Sequence, residues 1–153
     1  MELINDLCLS SPDFVPKPLA HLIDLRYLFE PDIPAYLALR EAIEIFLFTF
    51  KSEIDLFTGN KVTVIVTNTP NLSFLLDKNA CGIFIPLILL PCHLWEEYNL
   101  SHVAMMVCVL EELCHYFYAI SDEELIKVKV KDVFMKARPK SSHDWEMYLS
   151  GNS

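Results

Sequence analysis

One stretch dominates the apolar pattern of this chain: Val103 to Ile120, VAMMVCVLEELCHYFYAI. It opens with eight apolar residues, Val103 to Leu110, and neither Gly nor Pro interrupts it. Ser101 stands where an N-cap is needed, so the spacing predicts a helix. Met106, Val109, Leu110, Leu113, Phe117 and Ile120 leave it apolar on most sides, the pattern of a helix buried in a core. A second apolar helix is expected from about Pro34 to Lys51, announced by Pro31, by Asp32 as cap and by Pro34 in its first turn. Its charges are confined to Arg40, Glu41 and Glu44, a solvated stripe in which Arg40 and Glu44 pair one turn apart.

Strand signals lie between these helices. Lys61 to Thr67, KVTVIVT, alternates and is rich in β-branched residues, so it reads as a strand after the Thr58-Gly59-Asn60 turn. Leu72 to Leu76 is a shorter apolar piece, closed by Asp77-Lys78-Asn79. Gly82 to Leu90, GIFIPLILL, reads as a second strand, and Pro86 puts it at a sheet edge or interrupts it there, because proline donates nothing to a ladder. His21 to Phe29 is apolar and fits a short helix or a strand. Leu94 to Tyr98 fits a single helical turn. After the long helix, Ser121 with Glu124 three residues later reads as a capping box. That box favours a helix through Ile126, Val130, Val133 and Ala137. Residues 1–20, with Pro12, Pro16 and Pro18, form an irregular lead-in, and 138–153 a polar tail that Trp145, Met147 and Tyr148 are able to dock. The expected architecture is α+β: one domain over 1–153 with its core in about 21–137. A small, mostly antiparallel sheet packs against two buried helices.

Composition narrows the function. A chain of 153 residues with 53% hydrophobic content carries enough apolar surface for a proper core. The formal net charge of −9 argues against a nucleic-acid or anionic-membrane partner, which would need clustered Lys and Arg. The five cysteines form no CxxC pair and are odd in number, which fits reduced thiols and a cytoplasmic setting better than a disulfide framework. The N-terminal residues, MELINDLCLSSPDF, lack a basic region followed by an apolar one, so no secretory signal is evident. No apolar run is long enough to span a bilayer.

The chemistry concentrates where the long helix stops being apolar. At about 100° per residue, Glu111 and His115 share a face and Glu112 borders it. Ala104, Cys108 and Ala119 project the same way, leaving room beside the polar group. Carboxylates on such a helix are costly unless they are paired, hydrogen-bonded, protonated or bound to a metal. Cys114 points away from His115, so the two do not form a nucleophile pair. Arg40 is an available partner for Glu111 or Glu112. Tyr118 fits a packing role better than an oxyanion role. His93, His102 and His143 have no ligand-like spacing to the group.

Glu111-Glu112-Leu113-Cys114-His115 spells E-E-x-x-H. This resembles the H-E-x-x-H signature of zincin metallopeptidases, with Glu in place of the first His. The order of elements is similar to the minimal core of the small ImmA/IrrE-type zincins. The resemblance implies a zincin-like metal-dependent hydrolase, an intracellular peptidase acting on a peptide or protein substrate through a metal-activated water. It implies Glu112 as general base, a divalent metal cofactor such as zinc, and Glu111 and His115 as ligands. The third ligand would come from the next helix, at Glu124, with Asp122 and Glu123 as neighbours. In that family peptides lie along an edge strand beside the motif helix, so Ile83 to Ile85 is expected to border the cavity. The alternative is a non-catalytic interaction or regulatory protein on the same scaffold, whose acids and His115 form a buried polar cluster. In that reading Glu124 is a capping residue.

Overall fold

The structure is a computed structural model that describes residues 9–10, 15–29, 31–69 and 86–149. Strands β1 (Leu9–Ser10), β2 (Ile23–Tyr27), β3 (Val62–Thr67) and β4 (Leu87–Pro91) form one sheet in that order. Five helices accompany it among the described residues: α1 (Ile33–Phe50), α2 (Cys92–Glu97), α3 (His102–Phe117), α4 (Glu123–Ala137) and α5 (Ser142–Leu149). The fold is α+β.

The sheet differs from the antiparallel one expected. β2 pairs with β3 in parallel, Ile23 opposite Val62, and β3 pairs with β4 in parallel, Thr63 opposite Leu87. Only the two-residue β1 runs antiparallel, against the end of β2. The physical reason lies between the strands. The whole of α1 separates β2 from β3, and a helical crossover returns the chain in the same direction, whereas an antiparallel neighbour needs only a tight turn. Strand β3 reads accordingly: five of its six residues are buried, as in a strand covered on both faces. The ambiguous segment His21 to Phe29 resolves as β2, with alternating full and partial burial.

Helix α1 begins where the sequence puts it. Asp32 accepts from the Ala35 amide at 2.9 Å, and Arg40 pairs with Glu44 at 3.0 Å on the exposed face. Its inner face carries Ala38, Leu39, Ala42, Ile43 and Phe46, all nearly inaccessible. Helix α1 packs chiefly on α3. Aromatic rings hold the contact: Phe46 stacks on Phe50 with centroids 5.0 Å apart, and Phe117 lies 5.1 Å from each. At the other end of this pair, Glu41 of α1 accepts from His102 at 2.5 Å and forms an ion pair with Arg138 after α4.

Two further expectations change. Helix α4 forms over the ambiguous segment and buries Ile126, Val130, Val133 and Phe134 on one face. Its cap, however, is Asp122 and not Ser121. The Asp122 carboxylate accepts from the amides of Glu124 and Leu125, both at 2.9 Å. A carboxylate one residue closer to the helix reaches two free amides, and its charge also suits the positive end of the helix dipole. The polar tail contains helix α5, which docks against α3. Trp145 is its anchor, 4% exposed and 5.6 Å from the Phe134 ring. Gly82 to Ile85 and Leu72 to Leu76 lie outside the described residues; the strand of the GIFIPLILL run begins directly after Pro86.

Candidate functional site

Helix α3 is fixed at its start by Ser101, whose hydroxyl accepts from the Ala104 amide at 3.2 Å. From there a continuous apolar face locks the helix against α1, and this sets the rotation at which Glu111, Glu112 and His115 emerge. Glu111 is half-buried and Glu112 reaches the surface. Both line a cleft of about 270 Å³ whose other wall is Leu89, Leu90 and Pro91 of β4, with Cys108 one turn earlier on α3. Among the described residues β4 is an edge of the sheet, and no strand pairs with its outer side. Leu89 is 40% exposed there. The segment expected at the cavity, Ile83 to Ile85, lies outside the described residues, and β4 contributes Leu89, Leu90 and Pro91.

His115 sits one turn beyond Glu111, 26% exposed, at the junction with α4. Its Nδ1 lies 2.6 Å from the carbonyl of Ile120. A carbonyl only accepts, so Nδ1 carries a proton in this contact, and Nε2 is the ring atom left facing α4. The bond is short-range in sequence because the chain reverses at Ala119, whose φ of 52° is in the left-handed region. Nε2 is 4.0 Å from Glu123 Oε1 at the start of α4. Glu124 is turned away, 84% exposed and paired with Lys127 at 2.8 Å. The structure therefore brings Glu123, not Glu124, to His115.

The electrostatics follow from this crowding of acids. Burial raises the Glu111 carboxyl above the usual range; Glu112 and Glu123 raise it further, and His115 and Lys127 work against them. Burial also raises Glu112, with His115 opposing and Glu123 adding to the rise. Cys108, on the same face, is pushed up to about 11 by burial and by Glu111, so it is a thiol and no nucleophile. Cys114 is fully buried and pushed up to about 12. Arg40 does not reach the acids, since it is engaged with Glu44. Tyr118 packs against Phe46 and Phe50, with Lys129 3.6 Å above its ring. His102 is committed to Glu41.

Comparison with protein-family models, with curated proteins and with solved structures finds no match to this chain. What bears on function is the site. Its donors suit a divalent ion in kind: an imidazole nitrogen whose other ring position is fixed by a carbonyl, and carboxylates that repel one another. Their placement is looser. Among the described residues no three His, Cys, Asp or Glu side chains are gathered so as to hold a metal. His115 and Glu123 are the adjacent pair, and Glu111 reaches them through its charge. Sequence reasoning missed the role of Leu89 to Pro91, although the edge position implied by Pro86 pointed to this strand. It named Glu123 only as a neighbour of Glu124, and the structure puts Glu123, rather than Glu124, nearest to His115. No helix among the described residues is long and apolar enough to cross a membrane.

Proposed function

We propose that this chain is a zincin-like hydrolase that works on an extended peptide or protein segment lying along β4. The observation that carries the reading is the cleft: both acids of the E-E-x-x-H helix line it, opposite a strand whose outer side pairs with no other among the described residues. An unpaired strand edge offers main-chain donors and acceptors to an added strand. Glu112 is the general base. Burial raises its carboxyl above the usual range, which makes the carboxylate a stronger base toward water. The water oxygen adds to the substrate carbonyl carbon, and Glu112 passes the proton to the leaving nitrogen as the C–N bond breaks. His115, held through Nδ1, Glu111 and Glu123 are the residues that would hold a divalent ion. Such an ion, when bound, supplies Lewis acidity toward water and carbonyl.

A second reading has its own support. A non-catalytic binding protein would use the same cleft and strand edge without needing ligands in coordination geometry, and Glu at position 111 suits it. The test is hydrolysis of a denatured-protein substrate with Zn²⁺, Mn²⁺ or Co²⁺ supplied. Glu112→Gln should keep the fold and lower the rate by about 10²-fold or more. Binding of the substrate with no cleavage by the unaltered protein favours the second reading.

A further inference from the structure

The inner face of α1 is spent on α3, and its outer face carries a pattern of its own. That pattern is a chemical palindrome centred on Ala42. Tyr36 and Phe48 stand at equal distances from Ala42, as do Leu37 and Leu47, and Arg40 and Glu44. Aromatic answers aromatic, leucine answers leucine, and cation answers anion. At about 100° per residue these six side chains fall within about 120° of the helix surface. The stripe is centred directly opposite Ala42, which is wholly buried. Leu37 is 47% and Phe48 66% exposed. Tyr36 and Leu47, at the flanks, are partly buried, and the Arg40–Glu44 pair is exposed.

A palindrome of this kind is complementary to itself. A twofold axis that sets two such helices antiparallel places each residue at the level of its mate in the other copy. Arg40 then meets Glu44, Leu37 meets Leu47 and Tyr36 meets Phe48, each contact occurring twice. The spacing also suits helix packing. Tyr36, Arg40, Glu44 and Phe48 recur every fourth residue and form one ridge. Two ridges of that type pack side by side when the helices cross at about 50°, the commonest class in globular proteins. A partner of unrelated sequence would need neither the equal spacing about Ala42 nor opposite charges at mirrored positions. The contact is small and each chain carries a formal charge of −9, so the association is expected to be weak.

We infer that the outer face of α1 is a self-association surface, on which a second copy of this chain packs its own α1 antiparallel about a twofold axis at the level of Ala42. The inference is independent of the hydrolase reading, since this stripe carries none of the residues placed at the E-E-x-x-H site. Sedimentation velocity on the full chain at concentrations up to about 1 mM should show a monomer–dimer equilibrium. Arg40→Glu sets an acid against Glu44 of the other copy, and Glu44→Arg sets a base against its Arg40. Each variant alone should associate about tenfold or more weakly. An equimolar mixture of the two should associate again, because each then carries the charge that the other lacks. Phe48→Asp, at a position already in solvent, should abolish the dimer; should a charge variant fail to fold by circular dichroism, this change decides. A chain that stays monomeric throughout leaves the face bare or to another partner and overturns the inference. So does a dimer that survives Phe48→Asp, which would form through another face such as the β4 edge. A mixture of the folded charge variants that associates no better than either alone would overturn it as well.

Discussion

Asp122 gives the sharpest test of how α4 is set beside the motif helix. Its carboxylate accepts from two amides, those of Glu124 and Leu125, each at 2.9 Å. Replacing it with Ala returns both amides to water on an exposed surface. The loss of a cap costs about 1 kcal/mol, and the loss of negative charge at a helix start adds about 0.3–1 kcal/mol. Asp122→Ala should therefore destabilise the protein by roughly 1–2 kcal/mol. For a chain of this size that is a fall in Tm of about 2–8 °C. Asp122→Asn keeps an acceptor and should recover most of the loss. Ser121→Ala, which would break a capping box centred on Ser121, should stay within about 0.5 kcal/mol of the unaltered protein. Urea unfolding followed by far-ultraviolet circular dichroism reads all three. A Ser121→Ala loss equal to that of Asp122→Ala would refute the assignment, as would an Asp122→Ala change too small to measure.

Glu111 predicts a pH dependence. Its folded-state pKa is raised, first by burial and then by Glu112 and Glu123, so the folded protein binds the proton more tightly than the unfolded chain does. Its contribution to stability thus falls as pH rises from the ordinary carboxylate value through the raised one. Glu111→Gln should remove that contribution and be more stable than the unaltered protein above that window. Denaturant unfolding from about pH 4 to about pH 8 checks it, and an unchanged slope contradicts it. Trp145, 4% exposed against Phe134, should cost about 3 kcal/mol when changed to Ala; a loss below about 1 kcal/mol would mean that α5 does not dock.

Much of this was written locally in the chain. Ser101 and Asp32 cap the helices that the apolar runs announce, because a short oxygen-bearing side chain before such a run satisfies free amides whatever the tertiary fold. The rotation of α3 was legible for the same reason: its apolar face leaves Glu111, Glu112 and His115 nowhere else to emerge. The direction of the strands was misread. Alternation in KVTVIVT marks a strand but carries no information about its partner's direction; the helix between β2 and β3 does, through the crossover it imposes. The capping error at Ser121 came from a competition between two adjacent oxygen-bearing residues, which hydrogen-bond geometry decides in favour of Asp122. Glu123 and Glu124 are adjacent at the start of α4, so spacing alone does not distinguish which of them meets His115; the structure turns Glu123 to it and pairs Glu124 with Lys127.

The central claim is that the E-E-x-x-H face holds a divalent ion for hydrolysis. Calorimetric titration of Zn²⁺ and Mn²⁺ into the purified, chelator-treated protein and its His115→Ala variant tests it most directly. His115→Ala removes the fixed imidazole and leaves every carboxylate in place. Saturable binding at one site per chain that disappears in His115→Ala is the expected result. No binding by the unaltered protein, or equal binding by the two, would contradict the metal-dependent reading and leave the cleft to a non-catalytic partner.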